Sequence, residues 1–171
     1  MLKIVLAPDP ALKKTCDPLE QVDIHHQKLI KEMFETMYEA NGVGLAAPQV
    51  GINKRIFVID AGAREDIKNR IAMINPILTN IKKTTSLYEE GCLSFPGHYA
   101  ELERPDEITV EYLDENNKKQ KLISKNFTSR VIQHELDHIN GILFVDHLSR
   151  LKRDIIIKKM KKHKKELNKN E

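Results

Sequence analysis

The stretch from Phe127 to Ile139 constrains this chain more than any other. At helical spacing Phe127, Val131, His134 and His138 share one face, while Ile132, Leu136 and Ile139 share another. A helix that is apolar on two faces is buried, so this one must run through the middle of the fold. Yet it carries His134-Glu135-Leu136-Asp137-His138. Buried imidazoles beside a carboxylate need a partner, because polar groups are costly to take out of water unpaired. Positions i and i+4 project from one side, so both histidines can reach a single metal ion. Glu135 then stands beside them, placed to take a proton from a water that the ion activates. The bland alternative is a solvated helix with two histidines, and the flanking apolar residues speak against it.

Two histidines leave a catalytic site one protein ligand short, since such sites use three ligands and keep a position open. The longer metalloprotease pattern H-E-x-x-H-x-x-G-x-x-H is nearly present, with Gly141 in place, but its third histidine is Phe144. Phenylalanine binds no metal, which disfavours that class. Asp146 and His147 follow just after and could serve from a returning loop, although a surface position suits them better. Cys92, in Glu89-Glu90-Gly91-Cys92-Leu93-Ser94, is the better third ligand. Its thiolate binds such ions readily, and the preceding glycine lets backbone approach closely. Cys16, in a proline-flanked N-terminal loop, reads as a buried structural residue.

A chain of 171 residues makes one domain and buries roughly 70% of its unfolded surface, so a core needs no disulfide. No run of eighteen apolar residues and no signal-like opening stretch occurs, which implies a soluble protein of the cytoplasm with no membrane partner. The charge is uneven. Arg150 to Glu171 holds ten Lys or Arg against three acids, and the remainder holds eighteen against twenty-two. The organisation expected is a mildly acidic body over 1–149 and a basic helical tail over 150–171.

Along that body, residues 1–22 read as loop. Asp23 caps a helix whose Leu29, Ile30, Met33, Phe34, Met37 and Tyr38 recur at helical spacing, and Asn41-Gly42 ends it. Strands are expected over 55–60, 72–75, 77–84 and 108–113, with a turn at 114–118 returning through 120–123. Ser124 is a plausible N-cap for the motif helix, which runs to Asn140-Gly141. A third helix begins near Leu148. Its Leu151, Ile155, Ile156, Met160 and Leu167 form an apolar stripe among lysines. The class is α+β, with antiparallel sheets packed around a central helix that carries the metal motif, and a C-terminal helix.

Gly42-Val43-Gly44-Leu45-Ala46-Ala47 mimics a dinucleotide fingerprint, but a helix precedes it where a strand is required, and Pro48 blocks the helix that should follow. This small-residue loop serves better to bring backbone and Gln49 to a reacting centre. The Gln49 amide can donate to a carbonyl oxygen that becomes an oxyanion.

Three segments together carry a family resemblance. Gly42 to Gln49, Glu90-Gly91-Cys92-Leu93-Ser94 and Gln133 to His138 resemble, in order and spacing, the three signature motifs of peptide deformylases. The resemblance implies an amide hydrolase that removes the formyl group from the N-terminal methionine of new polypeptides. It implies metal ligation by Cys92, His134 and His138, with Glu135 as acid and base. The formyl oxygen would be held by the ion, the Gln49 side chain and the Leu93 N–H. The methionine side chain would meet Val43, Gly44, Tyr88, Phe127 and Val131. Fe2+ is the ion the family characteristically uses, and Zn2+, Ni2+ or Co2+ can take its place. The nascent formyl-methionyl chain is the expected partner, and the ribosome is a second, through the basic tail. Two rivals stand beside this reading: a zinc endopeptidase, and a non-enzymatic ribosome or RNA adaptor, which leaves Glu135 without a task.

Overall fold

The computed structural model describes residues 1–64 and 69–171. Asp23 caps helix α1 (Ile24–Glu39) by accepting a hydrogen bond from the His26 N–H, and His26 Nδ1 accepts from the Asp23 N–H in return. Asn41, at φ 56°, turns the chain out of the helix as expected of an asparagine beyond a C-terminus. Seven strands follow: β1 (Gly44–Ala46), β2 (Ile56–Ile59), β3 (Ile71–Ile81), β4 (Thr85–Gly91), β5 (Tyr99–Pro105), β6 (Glu107–Leu113) and β7 (Lys119–Lys125). Helix α2 (Asn126–Ile139) carries the histidines, and α3 (Arg150–Lys169) closes the chain. The fold is α+β, with a five-stranded sheet in the order β1-β2-β3-β6-β7 and a separate β4–β5 ribbon, every pairing antiparallel.

Strand β2 explains the layering. All four of its residues are buried, because the two faces of the sheet are covered by different helices. Ile56 and Val58 join Ile30, Met33, Phe34 and Met37 of α1. Phe57 and Ile59 point the other way, into Val131, Ile132, Leu136 and Ile139 of α2. A third cluster packs Ala7 and Leu12 of the N-terminal loop against Phe95, Phe144 and Met160. Helix α2 therefore lies on the sheet with its opposite side free to face the ribbon.

Several expectations are corrected. The strands expected over 72–75 and 77–84 are one strand, β3, whose register against β6 shifts between Ile74 and Ile77. Pro76 cannot donate to a ladder, and the irregularity absorbs it without ending the strand. Ser124 is not the cap of α2. The β6–β7 pairing holds the backbone extended through Lys125, and Asn126, at φ 54°, makes the turn into the helix. Strands β1, β4 and β5 are additional to the expected set. Among the described residues no helix is long and apolar enough to cross a membrane.

The C-terminal stripe is also redistributed. Ser149 caps α3 through a hydrogen bond from the Lys152 N–H. Met160 is fully buried, and Ile156 and Ile157 pack beside it. Leu151 and Ile155 are 71% and 46% exposed, because at 3.6 residues per turn they fall outside the arc that meets the body. Met160→Ala is therefore expected to cost about 2–5 kcal/mol of stability, and Leu151→Ala no more than about 0.5 kcal/mol. Urea unfolding of both variants checks this, and equal losses would mean that α3 docks by another face.

Candidate active site

The end of β4 and one face of α2 meet at a cluster of three donors. Cys92, just past the end of β4, places its Sγ 3.3 Å from Nε2 of His138. One ligand atom each from Cys92, His134 and His138 lies within 4.8 Å of the others. Asp146 and His147, the alternative third ligands, are engaged elsewhere. Asp146 pairs with Lys13 and accepts from the Leu143 N–H, and His147 bonds Asp137. Two buried imidazoles and a thiol suit a divalent transition ion, with the thiol bound as thiolate. The structure favours that fit in a second way, because Glu135 Oε2, beside these donors, is buried without a protein hydrogen-bond partner.

His134 is held from behind. Its Nδ1 lies 2.9 Å from Glu90 Oε1, which leaves its other ring nitrogen for the cluster. The Glu90 carboxylate also accepts from Arg104 Nε at 2.6 Å, Arg104 Nη2 at 3.0 Å and Arg130 Nη1 at 2.8 Å. Arg104 continues through Nη1 to Asp137 Oδ2 at 3.0 Å, so the carboxylate beside His138 belongs to the same network. Burial alone would push the Glu90 carboxyl up, but the bonds from His134 and Arg104 hold it down at about 2. Burial would likewise push His134 down, and its bonds to Cys92 and Glu90 hold it well above its ordinary value. His138 has only the burial and nearby positive charge, and is pushed well below.

Glu135 faces the cleft from the same turn of α2. Burial pushes its carboxyl up to about 7, partly offset by the charge of His134. A Cβ on Gly44 would stand 2.5 Å from Glu135 Oε1, so only glycine lets β1 pass this close to the carboxylate. On the next turn of chain Gln49 is 1% exposed and fixed in orientation. Its Oε1 accepts from the Ala46 N–H at 2.9 Å, so Nε2 points towards Ser94 Oγ at 3.1 Å and Cys92 Sγ at 3.5 Å.

These groups open onto a cleft of about 820 Å³. Val43, Gly44, Gln49, Tyr88, Cys92, Leu93, Phe127, Val131, His134 and Glu135 all line it, while His138 lies behind the surface. The Tyr88 and Phe127 rings stand 6.3 Å apart and form an apolar wall. Sequence reasoning gave no role to Glu90, Ser94, Arg104 or Arg130. Glu90 carried one usable signal, since alternation in a strand puts it on the same side as the cysteine two positions on. Arg104 carried none, because the strand that presents it was not expected.

The family described as polypeptide deformylase matches residues 1–154. A peptide deformylase of Agrobacterium fabrum is 45% identical over 159 residues, covering 93% of this chain and 94% of that relative. One of Pelagibacter ubique is 47% identical over 161 residues, covering 94% of each. The crystal structure of peptide deformylase from Ehrlichia chaffeensis in complex with actinonin superposes with a TM-score of 0.91 at 39% identity, covering 95% of this chain and 96% of that one.

Proposed function

The chain belongs to the polypeptide deformylase family, and we propose that it works as one through the residues gathered in this cleft. It is a metal-dependent amide hydrolase that acts on nascent polypeptides, removing the formyl group from the N-terminal methionine. The observation that carries the residue assignment is Glu135: a buried carboxylate with one oxygen lacking a protein partner, on the wall of the cleft beside a sulfur and two imidazoles.

Cys92, His134 and His138 would hold the ion. Bound there, a divalent ion supplies Lewis acidity, polarising a carbonyl and lowering the pKa of a water. The other steps fall to this chain's own groups. Val43, Tyr88, Phe127 and Val131 seat the methionine side chain, and the Gly44 backbone lies against it. Gln49 Nε2 and the Leu93 N–H donate to the formyl oxygen as it gains negative charge, an interaction whose loss typically costs about 3 kcal/mol of barrier. Glu135 Oε2 takes a proton from the attacking water. The water oxygen bonds to the formyl carbon, the carbon–nitrogen bond breaks, and Glu135 returns the proton to the amine. Formate and a free N-terminus result. A buried carboxylate on the wall of the cleft is placed for both halves of that transfer. The endopeptidase reading lacks its own support, since its third histidine is Phe144, fully packed in the core.

Three finer assignments belong with this reading. Fe2+ is the working ion, with Zn2+, Ni2+ or Co2+ as substitutes on the same donors. The cytoplasm is the compartment. The ribosome is a partner, met by the exposed lysines at 152, 158, 159, 161, 162 and 165 of α3, because clustered cations release counterions on meeting RNA phosphates.

Glu135→Ala is expected to lower formate release by about two to four orders of magnitude with full metal content, checked by a formate assay beside metal analysis. A metal-loaded variant with wild-type turnover would remove Glu135 from the mechanism. Enzyme prepared under nitrogen is expected to lose activity in air while a zinc-loaded sample keeps it, because zinc has no redox chemistry. Equal half-lives would assign a non-oxidisable ion. Truncation after Met160 is expected to leave turnover of a short formyl peptide unchanged and to weaken ribosome co-sedimentation at low salt. Unaltered pelleting at every salt concentration would make the lysines a solvated surface.

A further inference from the structure

Arg130 is 6% exposed on α2, one turn before His134, and it lines the cleft. Its guanidinium serves two neighbours of different kinds. On one side Nη1 donates to Glu90 Oε2 at 2.8 Å, and Glu90 is the carboxylate that holds His134 Nδ1. On the other, Cζ lies 5.5 Å from the centre of the Tyr88 ring, within cation–π range, and that ring faces Phe127. The remaining contacts hold the two strands that present these groups. Nη1 donates to the Leu102 carbonyl on β5 at 3.1 Å, and Nη2 to the Ser86 carbonyl on β4 at 2.7 Å. Arg104 offers a contrast within the same network. It bonds Glu90 and Asp137, and among the described residues it is in no cation–π pair.

We propose that Arg130 is a positioning residue that couples the methionine slot to the metal centre, fixing the Tyr88 wall and the Glu90–His134 pair with one planar group. The inference rests on the reading of His134 as a ligand and of Tyr88 and Phe127 as the slot. Its physical basis is the shape of guanidinium, whose edge forms a fork of donors while its flat face stacks on an aromatic ring. A lysine in its place would keep a positive charge near Glu90, but an ammonium is a compact point charge that cannot reach three acceptors and cover a ring together. The two functions should therefore separate on substitution. Seating of methionine needs the plane, whereas Glu90 takes a single bond from Arg130 that an ammonium can also make.

The test compares wild type with Arg130→Met, Arg130→Lys and Arg104→Lys, all cobalt-loaded. One readout is the rate of metal loss to a chelator without substrate. The other is the preference, in kcat/KM, for formyl-Met-Ala-Ser over formyl-Ala-Ala-Ser. Arg130→Met is expected to weaken metal retention by about tenfold to a hundredfold, as changes behind a ligating histidine do, and to lower methionine preference roughly tenfold, of the order that apolar contacts in a pocket contribute. Arg130→Lys should recover most of the metal retention and little of the preference, and Arg104→Lys, which gives up the paired bonds to both Glu90 oxygens, should move retention alone. Wild-type values for both readouts in Arg130→Met, or a loss in only one, would overturn the coupling. Should Arg130→Met fail to fold, Arg130→Lys decides by itself, and wild-type methionine preference there overturns the proposal. A wild-type protein that bound no metal or released no formate would instead overturn the reading beneath it.

Discussion

The carboxylate of Glu90 is the point at which β4, β5 and α2 meet. It sits on β4, takes two donors from Arg104 on β5, one from Arg130 on α2, and fixes the ring of His134. The three charged side chains are 5–6% exposed, so each has given up most of its hydration. Such desolvation costs several kcal/mol per ion, and an isolated pair often fails to recover it. Here two carboxylates, Glu90 and Asp137, face two guanidiniums, and the bonds satisfy both oxygens of Glu90. The consequence is geometric more than energetic. Among the described residues the β4–β5 ribbon makes no sheet pairing with the five-stranded sheet, and this ionic joint helps tie it to α2. Cys92 follows β4 directly, so the joint also sets where the sulfur lies relative to the two imidazoles.

The opposite side of α2 supplies the rigidity. Ile132 and Ile139 are fully buried against β2, β3 and β6, which locks the helix in rotation and presents His134 and Glu135 to the cleft with His138 behind them. Close packing tolerates little slack, and the approach of β1 uses what there is. Gly44 passes the Glu135 carboxylate, and Gly42 passes the Leu93 side chain at a distance where any Cβ would collide. Small residues in that loop bring Gln49 and the helix motif to the same point. The site thus assembles from four chain segments whose meeting depends on one apolar interface and one ionic one.

Much of this was legible in the sequence, and the reasons differ by element. Helix α1 announced itself through its cap and its 3.6-residue periodicity, and β2 through a run of apolar residues. The ribbon did not. The inward face of β4 and β5 carries Glu90 and Arg104 where a periodic reading looks for apolar residues, and the outward face carries Glu89, Glu101 and Glu103. On the inward face of β5 only Ala100 and Leu102 precede Arg104, so the ion pair that anchors the ribbon also shortens its apolar alternation. The end of β7 misled in a different way. Ser124 has the chemistry of a cap, but a ladder partner in β6 holds its backbone extended. On α3 the apolar residues were visible, while their division into docked Met160 and exposed Leu151 depended on where the body lies.

The sequence by itself determined the donors and their spacing: two histidines one helical turn apart, a glutamate between them, a cysteine after a glycine, and a glutamine after a small-residue loop. Local geometry suffices for that, because i and i+4 on a helix are neighbours in any context. Only the tertiary structure decided which side chains hold those donors in place. Glu90, Arg104 and Arg130 lie 14 to 40 positions apart and meet through a ribbon packed against a helix. A buried charge finds its partner by proximity in space, and no local pattern in a chain records which distant charge that will be.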